Sequence, residues 1–239
     1  MKNLFFALVT AILLVGCTAQ QLQQTQDALG GILNDNQLTS AQVADGLKEA
    51  LVNGTSKGTT TASKVDGYFK NPQLKIPFPP DVKKVETKLR QLGLNKQVDQ
   101  FVMTLNRGAE EAAKEAKPIF VAAIKNMTIQ DAWGILKGGE NAATSYLKRA
   151  TSAELRGKFK PVIKRALDKT NATKYYSDVI NTYNKIPFID QVNPDLDDYA
   201  TQKAIDGLFI LIQKEEKNIR ENPLARTTDL LKKVFKEQD

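Results

Sequence analysis

"AIDGLFILI", residues 204–212, decides the fold. Ile205, Leu208, Phe209, Leu211 and Ile212 carry more apolar surface than one packing face needs. The run continues into the polar stretch that ends at Asn222, and together they read as one helix. A helix that is apolar almost all round belongs at the centre of a bundle, with neighbours on every side. Asp206, the one charge inside the run, must find a partner or lie on a solvated edge.

The neighbours are legible on both sides of it. Thr39 with Gln42 forms a capping box, and Val43, Leu47, Ala50, Leu51, Gly54, Gly58, Ala62 and Val65 then recur at helical steps. The stripe keeps phase through both glycines, so one helix is expected, with Gly54 and Gly58 admitting a close neighbour. "PQLKIPFPP", residues 72–80, is extended by its prolines, and Ile76 and Phe78 are expected to plug a groove in the body. A helix follows to Leu92, stopped by Gly93. Asn95 to Asn126 is long and amphipathic, and Pro118 should kink or restart it. Thr128 and Asp131 cap a short helix carrying Trp133, which Gly138-Gly139 ends. Glu140 to Arg149 reads as another short helix, and Thr151 with Glu154 opens the next, interrupted by Pro161. Tyr175 to Ile186 is helical, and Pro223 opens a terminal helix that ends near Lys236.

No strand pattern and no 20–50-residue repeat accompanies these elements. The fold class is therefore all-α: a single-domain multi-helix bundle of about seven to nine helices over residues 39–239, with a Pro-rich extended segment near 72–80.

The amino terminus reads differently. Lys2 is followed by an almost wholly apolar run, Leu4 to Val15, of 12 residues. A spanning helix needs about 20, so residues 1–16 read as a signal peptide. Leu14-Val15-Gly16-Cys17 resembles the lipobox of bacterial lipoproteins. That resemblance implies cleavage before Cys17, acylation of its thiol and amino group, and a membrane partner reached through the lipid. Stable anchoring takes two or more hydrophobic signals, and a triacylated cysteine supplies them. Residues 17–38 then form the lipidated cysteine and a flexible tether. Thr18 stands where an Asp would favour retention in the inner membrane, so the resemblance implies the outer membrane, with the domain facing the periplasm.

Charge and composition exclude several classes of function. The chain carries Lys+Arg 34 against Asp+Glu 27, and without Lys2 the balance is 33 to 27, a net of +6. The excess is spread along the chain, which allows weak attraction to anionic lipid or polymer. No aromatic-basic motif points to nucleic acid. Histidine is absent, which removes Ser-His-Asp and Cys-His catalysis and imidazole metal ligands. Cys17 is the only cysteine, and the lipobox resemblance implies that lipid takes it up. No phosphate loop, dinucleotide fingerprint or calcium loop is present, so no cofactor and no metal is expected.

"GLKEAL" at 46–51, "LNRGAEEAAKEAKPIFVAAIKNMTIQDAWGILKGGENAATSYLKRAT" at 105–151, and "YAT" with "AIDGLFILIQKEEKNIRENPLARTTDLLKKVF" between 199 and 235 carry a wider resemblance. Over roughly residues 40–236 the chain resembles the bacterial family known as domain of unknown function 4197. The resemblance implies an exported helical protein. It implies no activity and supplies no catalytic residues.

Polar residues in the helices supply the candidate sites. Asn106 with Glu110 and Arg107 with Glu111 are i,i+4 pairs. They are either ordinary helix-surface pairs or, for Asn106 and Glu110, the flank of a polar cleft. Asp131, Thr144 and Tyr146 complete that candidate cleft; the turn before Thr144 could equally be a hairpin between helices. Glu216, Arg220 and Arg226 form a candidate structural charge cluster joining the last two helices. Trp133 reads as core.

Two functions fit. One is a non-catalytic envelope module that binds a lipid, peptide or cell-wall fragment. The other is a hydrolase of an envelope polymer using a carboxylate pair such as Glu110 with Asp131 or Glu216, which requires two carboxyl groups about 5–9 Å apart in an open cleft.

Overall fold

The computed structural model describes residues 38–185, 187–188 and 191–236; Cys17 and the segments expected to be a signal peptide and a tether, up to residue 37, lie outside them. Nine α-helices are present among the described residues and no strand. They are α1 (Ser40–Ser63), α2 (Lys83–Gln91), α3 (Asn95–Ala112), α4 (Ala116–Lys125), α5 (Ile129–Leu136), α6 (Ala142–Asp168), α7 (Ala172–Tyr183), α8 (Leu196–Glu221) and α9 (Asp229–Lys236). The all-α expectation holds, and the helices close on one another as one compact unit.

The apolar run sits where its composition requires. α8 packs against α6, α1 and α3. Leu208 is fully buried and Phe209 is 4% exposed, its ring edge-on to Phe120 at 5.9 Å. Asp206 takes the solvated edge: it is half-buried and accepts a hydrogen bond from the Gln202 amide.

α1 runs unbroken through its glycines because α8 lies against them. A Cβ on Gly58 would stand 3.6 Å from Ile212 Cγ1, and one on Gly54 would stand 3.5 Å from Glu215 Cβ. The stripe ends at Ala62, however; Val65 lies in the following turn and is 78% exposed. Gly93 stops the α2 segment with φ +81, a conformation that glycine adopts without steric cost. Thr128 and Asp131 form the reciprocal capping box of α5. A 3-10 turn at Ala113–Glu115 divides the long amphipathic stretch, and Pro118 falls in the first turn of α4, where its missing N–H costs little.

Three further expectations are corrected. Residues 142–168 are one helix, not two segments opening at Glu140 and Thr151. Leu147, Thr151, Leu155, Phe159, Ile163 and Leu167 are buried along it, and the Thr151 hydroxyl donates back to the Leu147 carbonyl instead of capping. Pro161 is tolerated because it and Gly157, whose carbonyl loses its donor, both lie on the solvent face. Pro223 opens a 3-10 turn, Pro223–Ala225, and the terminal helix begins only at Asp229. Arg107 pairs with Glu110 and Asp66, while Glu111 pairs with Lys114.

The proline segment is a strap over the bundle. Ile76 is 1% exposed and Phe78 9%, so both enter the body as their spacing suggests.

Candidate functional site

The strap, α2, α3 and α7 enclose an apolar groove of about 300 Å³. α2 explains why it exists. Val85 and Leu89 on this short helix, and Val82 in the turn just before it, line the groove, while Lys83, Lys84 and Lys88 are exposed. The helix packs chiefly on α3 and on the turn before it, so it roofs the groove without filling it. Its outer edge is fastened by Glu86, which accepts hydrogen bonds from Lys83 Nζ at 2.6 Å and Arg90 Nε at 3.0 Å. Burial raises the Glu86 carboxyl, but these two cations together outweigh burial and hold it below the ordinary range.

The far wall comes from α3 and α7. Val98 and Phe101 line one side, with the Phe101 ring 4.9 Å from that of Phe78. Tyr176 and Ile180 close the other; burial, helped by Asp81, pushes the Tyr176 hydroxyl up to about 12. Tyr175 stands at the lip, 65% exposed. Gln97 and the two tyrosine hydroxyls are the only polar side-chain groups in the lining.

The residues proposed for a polar cleft are not brought together. Asn106 and Glu110 are buried and hold the strap. The Ile76 N–H donates to Asn106 Oδ1 at 2.8 Å, and Asn106 Nδ2 donates to the Ile76 and Val102 carbonyls. The Tyr68 and Phe69 N–H groups both donate to Glu110 Oε1 at 3.1 Å, and Arg107 donates to Oε2 at 2.6 Å. Tyr68 is itself locked, its hydroxyl donating to the Ala204 carbonyl at 2.6 Å. Burial, followed by the carboxylates of Glu110 and Asp206, pushes that hydroxyl well above its usual range.

Asp131 is taken up by the capping box; its bonds from the Thr128 hydroxyl and N–H keep its carboxyl low. Tyr146 is half-buried, with its hydroxyl 3.5 Å from the Ala123 carbonyl. Burial, aided by Asp131, raises its titration.

Thr144 belongs with the charge cluster instead. Glu216 accepts from the N–H groups of Ala143 and Thr144 at 3.0 and 2.8 Å and from the Thr144 hydroxyl at 2.6 Å. These are first-turn donors of α6, whose own N-cap, Asn141, contributes no side-chain bond. A carboxylate on α8 thus caps α6 and meets its positive end. Arg220 donates to Glu216 at 3.0 Å and to the Ile135 carbonyl at 2.9 Å. Arg226 is 3% exposed, donates to the carbonyls of Ile219 and Arg220, and lies over the Phe235 ring. Trp133 is half-buried under the Lys137 ammonium.

No group of three potential metal ligands occurs among the described residues. Sequence reasoning placed Phe78 in a groove of the body but missed the recess that stays open beside it under α2. The available signal was the 82, 85, 89 spacing of apolar residues among lysines, which marks a helix with one narrow apolar face.

Over the described residues, fold and groove together define an all-helical protein with an apolar recess under a short basic helix. The chain belongs to the family described as proteins of unknown function (DUF4197), whose model matches residues 37–236. No curated protein and no solved structure matches it.

Proposed function

We propose that this protein is a lipid-anchored, non-catalytic module of the bacterial envelope that takes an acyl chain into the groove between α2, α3 and α7. The observation that carries the reading is the lining: about 300 Å³ walled by aliphatic and aromatic side chains, with Gln97 the one amide. That size is at the lower end of ligand pockets. A peptide or a sugar placed there would leave its amides or hydroxyls unpaired, at a cost of about 1–3 kcal/mol each. An acyl chain has none to satisfy.

The carboxylates support binding over hydrolysis. Glu110 and Glu216 are each occupied by backbone N–H groups and an arginine, and Asp131 by its cap. Anchoring through Cys17, at an outer membrane with the domain in the periplasm, rests on Leu14-Val15-Gly16-Cys17 and on Thr18. No helix among the described residues is long and apolar enough to cross a membrane.

Native mass spectrometry of the full chain extracted from its own envelope tests the groove. The parent is expected to retain lipid, and Leu89→Trp, which fills the recess, to release it while circular dichroism stays helical. A parent without lipid, or a variant that keeps it, overturns the reading. Alkyne fatty-acid labelling tests the anchor: label should vanish in Cys17→Ser.

A further inference from the structure

We infer that the groove holds a single-chain anionic glycerophospholipid, its acyl chain under α2 and its phosphate at Lys96. This rests on the acyl-binding reading above and adds the class of lipid.

The number of chains follows from volume. A groove of about 300 Å³ lies at the lower end of ligand-site volumes, so it suits one acyl tail better than two.

The position of the head follows from the two hollows that adjoin the groove. Phe78 separates the groove from a hollow lined by Lys75, Lys83, Glu86, Arg90 and Asp99. There the cations are already matched: Glu86 binds Lys83 and Arg90, Arg90 binds Asp99 at 3.0 Å, and Lys75 lies over the Phe69 ring. Gln97, Phe101 and Tyr175, on the α3 and α7 side, are shared with a second hollow of about 510 Å³. Lys96, Gln100, Thr104 and Thr170 line it, and no acidic residue does. Lys96 makes no ion pair among the described residues.

The backbone adds to this asymmetry. Lys96 and Gln97 lie in the first turn of α3, an 18-residue helix whose N-cap, Leu94, supplies no side-chain bond and whose first turn has no acid. The positive end of its dipole lies at the turn that carries Lys96 and Gln97 and favours negative charge there. An apolar recess with a cationic, acid-free, amide-lined mouth is complementary to an acyl chain ending in a phosphate. The Thr104 and Thr170 hydroxyls donate to the Gln100 and Leu167 carbonyls and are left as acceptors; with the Gln97 and Gln100 amides they suit a glycerophosphate, whose glycerol hydroxyl donates, over a fatty acid, whose carboxylate does not.

The test uses the full chain in nanodiscs of phosphatidylcholine and a lauroyl lysophosphatidylglycerol bearing a diazirine at the chain end. Irradiation should label peptides carrying Val98, Phe101, Tyr176 or Ile180. Unlabelled lysophosphatidylglycerol should compete at a concentration about tenfold below monolaurin, which has the same chain without the phosphate, since one charge-assisted bond is worth about 1.4 kcal/mol or more. Lys96→Gln should remove that preference while the groove remains labelled. Equal competition by monolaurin, tighter competition by dodecanoate, or an unchanged preference in Lys96→Gln overturns the glycerophosphate assignment and leaves acyl binding standing. Label confined to the outer surface removes the acyl-binding reading as well.

Discussion

Two seams of this bundle are built from similar aliphatic residues and end in different states. Between α1, α8 and α9 the helices interlock, and the cavity remaining beside Leu47, Ala50, Ile212 and Phe235 is about 30 Å³, room for about one water. Between α2, α3 and α7 about 300 Å³ stays open. Hydrophobic content does not separate them; the closeness of backbones does. α1 presents Gly46, Gly54 and Gly58, and a Cβ on Gly46 would reach within 2.8 Å of Val234. The α2 side has no such small residues, and a nine-residue helix bridges the gap with Val85 and Leu89. Small residues close a seam, and a short roof over large ones leaves room for a ligand.

The sharpest test of the closed seam is Phe209→Ala. Its ring is 4% exposed and meets Phe120 edge-on. Truncation should cost about 3–5 kcal/mol, much of a typical domain's 5–15 kcal/mol, as read from denaturant melts. A variant as stable as the parent would show α8 facing an opening, and the contrast between seams would fail.

Glu216→Gln comes next and probes the polar anchor of the same seam. The substitution puts an amide donor among the donors of Ala143, Thr144 and Arg220, which all converge on the carboxylate. Breaking such a buried pair should cost about 3 kcal/mol or more. A loss well under about 1 kcal/mol would return Glu216 to the class of solvated surface pairs.

The closed seam was largely legible in the sequence and the open one was not. "AIDGLFILI" declares its own burial, and the glycines of α1 share a phase with its leucines. Caps and stops at Thr128, Asp131 and Gly93 are local and need no partner. Asn106, Glu110 and Glu216 failed to declare themselves because their partners are backbone groups at Tyr68, Phe69, Ile76, Ala143 and Thr144, far along the chain. A backbone N–H has no sequence signature, so a carboxylate that caps a distant segment looks like a surface acid. Pro161 misled for the opposite reason: local chemistry argued for a break, and the buried Leu155, Phe159 and Ile163 held the helix together across it.

Val85→Ala tests the open seam. Val85 is half-buried and faces a space that already exists, so trimming it deletes few contacts. The cost should stay under about 1 kcal/mol, below the range for core truncations. A loss near 3 kcal/mol would show that the groove is closed in solution and that the two seams are alike.

The smallest effect concerns the acid range and the roof alone. The Glu86 carboxyl sits below its ordinary value of 4.5 because Lys83 and Arg90 outweigh its burial. For a carboxylate of lowered pKa the stabilisation is fully present above the unfolded value and is lost as pH falls through the folded one. Stability of the roof should therefore decline as pH drops below about 4.5. Lys83 is 69% exposed and Arg90 35%, so solvent screens both bonds, and the total should be about 0.5 kcal/mol per pair or less. Hydrogen exchange of α2 amides between pH 6 and pH 3, with rates corrected for intrinsic pH dependence, should show protection falling in the parent and nearly flat in Glu86→Gln. The core amides of α8 should keep the same profile in both proteins, because α2 meets the body chiefly along α3. A Glu86→Gln change that altered exchange in α8 as strongly as in α2 would mean that the roof and the closed seam open as one cooperative unit, and the distinction between them would lose its energetic basis.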